Sequence, residues 1–324
     1  MQLTPIGIHD NFFEIGGDSI RSIQIISKAQ EQNIEIAPHH IFEYQTIYEL
    51  GTFLENADQS NKENTNWASL VPLKKEGTKT PLFCIHSGGA HVFFYRGLAK
   101  YMEADQPLYA LQPAGLNNEN YLHSSIKDMA SFYISEIQKQ QPKGPYYILG
   151  TCFSNAVGLE IANQLVLAGE SIGRLIIVDS GPQYLLGATE RGGKRTTRRF
   201  VKMIKEKNWV GIRKKLRNRY IRTKQKALSP LENEQEKNLR LTINSLNQLY
   251  HHYTWKPFDG KITFIRSTEF ANRTDKNIHL TQWNKLAKKG LEVHVVDGHH
   301  LTLFEEPEVK GLAQKINSCL IDEK

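Results

Sequence analysis

Cys152 stands where an apolar run meets a helical pattern, in the stretch PYYILGTCFSNAVGLEIA at residues 145–162. A strand that turns sharply into a helix can expose one side chain at the carboxyl edge of a sheet. The pattern G-x-S-x-G marks such nucleophile elbows because small flanking residues fit the strained turn. Here Gly150 opens the pattern, cysteine fills its centre, and Ser154 takes the place of the second glycine. Ser154 is the rival nucleophile by residue type, but its place in the pattern assigns it to packing of the turn. Cys84, inside an apolar run, and Cys319, in the last helical segment, read as small buried hydrophobes. A thiol nucleophile needs a base and an acid that orients the base, supplied from the ends of later strands in the order nucleophile, acid, histidine. Asp179 ends the run LIIVDSGP, and LEVHVVDGHHL supplies His299 and His300, between which spacing does not choose. Three cysteines without C-x-x-C spacing support neither a disulfide framework nor a zinc site.

A second chemistry lies near the start, where residues 10–20 read DNFFEIGGDSI. Gly16 and Gly17 permit a tight turn, Asp18 sits at a helix-cap position, and Ser19 falls on the first helical turn. A phosphodiester on that hydroxyl would lie beside unpaired helix amides and the positive end of the helix dipole. The same letters also read as an ordinary loop and cap.

The elements that must position these groups follow from the apolar pattern. Short runs at 81–85, 107–111, 145–149, 174–178, 261–265 and 291–296 read as strands, with helical segments at 123–140 and 155–169 between them. In the latter, Val157, Ile161, Leu165 and Val166 recur at helical spacing. This alternation predicts an α/β protein with a mostly parallel sheet covered on both faces. The long interval after 174–178 breaks the rhythm and is expected to form a helical lid over about 183–256. Leu239, Ile243, Leu246, Leu249, Tyr250 and Tyr253 line one amphipathic helix within it. Residues 57–69, which include ADQSNKENTN, read as a linker between a small helical bundle at 1–56 and a larger domain at 70–322. In the bundle, Ile20, Ile23 and Ile26, then Ile41, Phe42, Ile47, Leu50 and Leu54, supply the apolar faces.

Charge narrows the class of partner. The net charge of +7 is local: between Arg191 and Lys226 sixteen Lys and Arg face only Glu206, while residues 1–58 carry a net −7. An acidic head and a basic insertion argue for a solvated lid face, or docking of the acidic head, over nucleic acid. No apolar run reaches the ~18 residues of a membrane span, and the first residues lack a signal-peptide layout, so a cytoplasmic protein is expected.

The run FFEIGGDSI, followed by IFEYQTIYEL, resembles the carrier-protein domain of nonribosomal peptide synthetases, whose motif serine accepts 4′-phosphopantetheine. That resemblance places the attachment at Ser19. Only about ten residues precede the motif where carriers usually have a further helix, so it also implies a carrier lacking its first helix, at the tail of a longer synthetase. PLFCIHSGGAHVFFYRGLA, GPYYILGTCFSNAVGLEIA, LIIVDSGP and GHHLTLFEEPEV, in that order, resemble the thioesterase domains that end nonribosomal peptide and polyketide synthetases. This second resemblance implies an α/β-hydrolase fold with a helical lid insertion and a catalytic set of Cys152, Asp179 and His300. The family's last motif, G-x-H, selects His300 over His299. It also implies oxyanion-hole amides at Gly88 and Phe153.

The implied function is terminal chain release: a carrier-bound acyl or peptidyl thioester passes to Cys152 and leaves by cyclisation to a lactone or lactam, or by hydrolysis. Implied partners are upstream condensation and adenylation domains, a phosphopantetheinyl transferase and the thioester substrate, with no nucleic acid and no metal. Two other readings stand beside it. A carrier-docking module with a degenerate elbow predicts no covalent acyl-enzyme. A plain hydrolytic thioesterase or esterase leaves Ser19 and the acidic head without a role.

Overall fold

The computed structural model describes residues 6–12 and 40–57 with isolated positions between them, then 69–116, 122–182, 234–272, 276–300 and 302–320. Ser19, Ile20, Ile23, the basic stretch 191–226 and the first part of the expected lid, 183–233, lie outside the described residues.

In chain order the described helices are α1 (His40–Glu43), α2 (Ile47–Ala57), α3 (Arg96–Tyr101), α4 (Ile126–Gln140), α5 (Ser154–Leu167), α6 (Glu234–His252), α7 (Thr268–Ala271), α8 (Lys276–Leu286) and α9 (Glu308–Cys319). The strands are β1 (Leu70–Lys74), β2 (Leu82–Ile85), β3 (Leu108–Leu111), β4 (Tyr146–Thr151), β5 (Ile172–Val178), β6 (Ile262–Ser267) and β7 (Leu291–Val296).

The strands form a seven-stranded sheet in the order β1-β3-β2-β4-β5-β6-β7. β1 runs antiparallel to β3, and every other neighbouring pair is parallel. β4 is buried at all six positions, the mark of a central strand covered on both faces. Alternate residues feed two cores. Phe83, Ile85, Ile148 and Ile177 point to the side of α4 and α5, while Leu82, Cys84, Leu149 and Ile176 point to the side of α3 and α9. The six apolar runs all became strands. β1 carries too weak a signal to be read from sequence: it is an edge strand with only Val71 buried, it contains Pro72, and it ends in lysine.

α4 begins at Ser125, whose hydroxyl accepts the Asp128 N–H at 3.0 Å. α5 is buried from Ser154 through Ala162, because it crosses the sheet beneath α4 and lies against the core side of the lid helix α6. α6 holds the expected apolar face, with Leu246 buried and Leu239, Ile243, Leu249 and Tyr250 packed against the same core; Tyr253 follows just past its end.

In the head, Ile26, Ile36 and Ile41 are buried together with Phe12, Leu50 and Leu54 packed against them. Ile47 departs from the predicted face and is 59% exposed. It opens α2 between Thr46 and Glu49, whose side chains bond each other's backbone N–H at 3.1 Å in a capping box. α2 runs through Ala57, so helix takes in the first residue of the expected linker. Ser69, its last residue, is buried, and its carbonyl accepts the Gln112 N–H at 2.8 Å.

Candidate active site

β4 passes into α5 through a turn that needs a glycine at 150, because a Cβ there would stand 2.8 Å from the Ser154 carbonyl oxygen. Cys152 follows at φ 55°, in the left-handed region that side chains other than glycine's rarely enter. Its N–H donates to Ser180 Oγ at 2.8 Å, which ties the turn to the chain leaving β5. Cys152 is exposed, while Cys84 and Cys319 are buried and their thiols are pushed up by that burial. Ser154 is fully buried; its hydroxyl accepts the Thr151 N–H and donates to the Thr151 carbonyl, both at 2.8 Å. With both its hydrogen-bonding functions engaged inside the turn, Ser154 has the packing place that the pattern assigned to it.

Asp179 leaves β5 with almost the same backbone, φ 52°, but is 1% exposed. A buried carboxylate needs donors. Ser267, the last residue of β6, supplies two, its N–H to Oδ1 at 2.6 Å and its hydroxyl to Oδ2 at 2.9 Å. The third is His300, whose Nδ1 lies 3.0 Å from Oδ2.

His300 lies in the loop between β7 and α9, where its backbone N–H donates to Glu269 Oε2 at 3.0 Å. With Nδ1 facing Asp179, the ring presents Nε2 to Cys152. The hydrogen bond with Asp179, and after it the one with Cys152, raise the imidazole to about 10 against the opposing effect of burial. His299 has a ring 71% exposed and lies 3.7 Å from Glu269. The structure therefore brings Cys152, Asp179 and His300 together and leaves His299 outside.

Phe153 sits at the N-terminus of α5, where the first N–H groups have no acceptor within the helix. Gly88, in the loop after β2, comes next to it: a Cβ on Gly88 would lie 3.6 Å from the Phe153 Cβ. The Phe153 ring stacks with His86 at 5.5 Å and meets Tyr250 of α6 at 5.7 Å, so the lid helix lies directly against the elbow.

Three contributors were not singled out from the sequence. Ser267 and Ser180 are serines at strand ends, a place where caps are common, and only the tertiary fold aims them at Asp179 and Cys152. Glu269 reaches the His300 backbone from α7. Among the described residues no cluster of His, Cys, Asp and Glu could hold a metal ion, and no helix is long and apolar enough to cross a membrane.

Ser19 itself lies outside the described residues. Ile15 and Arg21 on either side are exposed, Arg21 and Ser22 are helical, and Ser22 and Ile26 turn inward.

The chain is similar to known proteins in two parts. The family model described as the thioesterase domain matches residues 80–320, and that of the phosphopantetheine attachment site matches residues 1–54. A dimodular nonribosomal peptide synthase of Bacillus subtilis is 29% identical over 338 residues, covering 100% of this chain and 14% of the relative. Malpibaldin synthetase of Mortierella alpina is 28% identical over 331 residues, covering 99% of this chain and 6% of the relative. The chain thus spans a small part of the length of the curated relatives it matches. Among solved structures, a four-domain holo nonribosomal peptide synthetase bound to AMP and glycine aligns with a TM-score of 0.63 at 23% identity, over 97% of this chain and 24% of that one. The NocB thioesterase domain from the nocardicin cluster aligns with a TM-score of 0.58 at 20% identity, over 78% of this chain and 99% of that one. These likenesses establish an α/β-hydrolase-type fold.

Proposed function

Because the chain belongs to the thioesterase domain family and carries a phosphopantetheine attachment segment ahead of that domain, we propose that it releases a finished acyl or peptidyl chain in nonribosomal peptide biosynthesis, with Cys152 as nucleophile, His300 as general base and acid, and Asp179 as the orienting carboxylate. The observation that carries this reading is the continuous link from the exposed Cys152 thiol through His300 to the buried Asp179.

Phosphopantetheine attached at Ser19 would present the chain as a thioester. The protein's own residues then act in sequence. His300, whose cationic form Asp179 stabilises, takes the Cys152 proton at Nε2 and leaves a thiolate at the exposed elbow. The thiolate attacks the thioester carbonyl, and the developing oxyanion lies towards the amides of Phe153 and Gly88. As the tetrahedral species collapses, the carbon–sulfur bond to the departing thiol breaks and His300 returns the proton to it. In the second half-reaction His300 removes a proton from the incoming nucleophile, the bond to Cys152 breaks, and the thiol is restored.

Cysteine favours one outcome. Transfer from one sulfur to another keeps the acyl group a thioester, so it stays activated where an ester would lose much of that activation. Release by an amine or hydroxyl within the chain, giving a lactam or lactone, is therefore preferred to hydrolysis. The partners that go with this role are upstream condensation and adenylation domains and a phosphopantetheinyl transferase.

The full chain, incubated with a small acyl thioester such as an N-acetylcysteamine derivative, tests the reading. Turnover is expected in the unsubstituted protein and not in Cys152→Ala or His300→Ala, and the double variant should be little worse than either. Activity surviving in both single variants would refute the assignment. In parallel, a phosphopantetheinyl transferase with coenzyme A should modify the chain and spare Ser19→Ala; equal modification of both would move the attachment elsewhere.

A further inference from the structure

The loop after β2 contains a histidine that the proposed mechanism does not use. His86 is fully buried, and its Nδ1 lies 2.7 Å from the Ser87 carbonyl oxygen. A carbonyl can only accept, so Nδ1 carries the hydrogen. Burial pushes the imidazole down to about 3, with His123 and His91 adding to that effect, so the ring is neutral and Nε2 keeps a bare lone pair. Nε2 has no hydrogen-bond partner among the described residues. Among the described residues, the one hydrogen bond of the His86 side chain therefore ends on the loop that carries Gly88.

What that bond fixes follows from the planarity of the peptide unit. The Ser87 C=O and the Gly88 N–H belong to one rigid trans plane and point in opposite directions. Holding the carbonyl sets the direction of the amide. The Ser87 oxygen is held twice, by His86 Nδ1 and by the Ala90 N–H at 3.0 Å, which occupies both lone-pair directions. Ala90 itself adopts φ 65°, in the left-handed region. The opposite side of the same imidazole contact is Phe153, stacked at 5.5 Å with 26° between the ring planes.

We propose that His86 is a positioning residue of the oxyanion hole, aiming the Gly88 N–H through the peptide plane that amide shares with the Ser87 carbonyl and shelving Phe153 with its ring. This rests on the reading of Gly88 and Phe153 as the oxyanion donors. His86 does not touch the reacting atoms. It acts on two amides that come from different loops, and its neutral ring serves both because one nitrogen donates while the π-face packs.

Two near-isosteric changes separate the parts of this role. His86→Asn keeps an N–H close to the Nδ1 position, and His86→Phe keeps the stacked ring but has no donor. On a small acyl thioester, His86→Phe should lower kcat by about 30-fold with KM within about threefold, since losing an oxyanion donor outright costs more than misdirecting one. His86→Asn should stay within about fivefold of the unsubstituted protein. Equal activity of the Phe variant and the wild type, or equal loss in Phe and Asn, would overturn the proposal and leave His86 a packing residue. Nitrogen-15 NMR of the imidazoles in the unsubstituted protein supplies a measurement that needs no variant to fold. It should report a neutral ring protonated at Nδ1 and unchanged from pH 5 to 9, and an Nε2-protonated ring would overturn the proposal. Cys152→Ala, assayed alongside, keeps the two ideas apart: turnover surviving there sinks the site reading itself, whereas turnover lost there with His86→Phe fully active sinks only the role of His86.

Discussion

Two strands deliver two side chains with nearly the same backbone and opposite surroundings. Cys152 after β4 and Asp179 after β5 both adopt φ above 50°, a conformation costing on the order of 1–3 kcal/mol for residues other than glycine. One is exposed, with its backbone N–H held by Ser180 and its thiol meeting His300; the other is 1% exposed and accepts three hydrogen bonds through its side chain. The shared strain is what aims a side chain out of a parallel strand's end. The environment then separates the two, leaving the thiol open to solvent and locking the carboxylate between Ser267 and His300.

The largest expected effect breaks the exposed half. Cys152→Ala should reduce turnover of a small thioester by at least about 10³-fold, leaving the background supplied by binding and the oxyanion amides. Breaking the buried half should cost nearly as much. Asp179→Asn keeps the shape but can turn an N–H towards His300 and select the wrong tautomer, so a loss of about 10³-fold is expected. His299→Ala, in the same assay, should stay within about twofold.

Removing one support of the buried carboxylate sharpens the contrast. Ser267→Ala takes away one charge-assisted hydrogen bond, worth about 1.5–3 kcal/mol, and should lower kcat by about tenfold while KM changes little. Stability should divide the pair in the other direction. Cys152→Gly relieves strain and gives up only the exposed thiol's contact with His300, so it should raise stability to denaturant by about 1 kcal/mol. Asp179→Gly relieves the same strain but strips Ser267 and His300 of their acceptor, and should lower it.

The smallest effect is on pH dependence. His300 is raised from its ordinary 6.5 to about 10, chiefly by Asp179. A group with a raised folded-state value contributes stability that is fully present below about pH 6.5 and is lost as pH rises through about 10. The Tm difference between the wild type and His300→Ala should therefore be greatest near pH 6 and shrink towards pH 10. A difference that grows with pH would contradict the ion-pair account.

The same contrast explains what could be read from the sequence. The elbow was legible because its turn imposes local rules on Gly150 and Ser154, and β2, β3, β4, β6 and the second half of β5 were legible because burial on both faces leaves continuous apolar runs, while the edge strand β7, with only Val296 buried, was legible through Val293, Val295 and Val296. β1 was not, since an edge strand with one buried residue and a proline carries no such run. His300 was separated from His299 by likeness to a family, and the structure adds the physical reason, a 3.0 Å contact to Asp179 that His299 lacks. Ser267, Ser180 and His86 act through residues distant in the chain or through a peptide plane, and neither kind of role leaves a pattern in spacing. Ile47 was misjudged because a capping box places the first residue of a helix by its backbone, whatever its side chain prefers.

The central claim is that the exposed thiol of Cys152, and not the buried hydroxyl of Ser154, receives the acyl group. Intact-mass measurement after brief exposure to a slowly released acyl thioester, followed by peptide mapping, tests it most directly. One acyl group is expected on the peptide containing Cys152, removed by neutral hydroxylamine as a thioester is, and absent from Cys152→Ala. An adduct that persists in Cys152→Ala, or that maps to Ser154 as a hydroxylamine-resistant ester, would contradict the account.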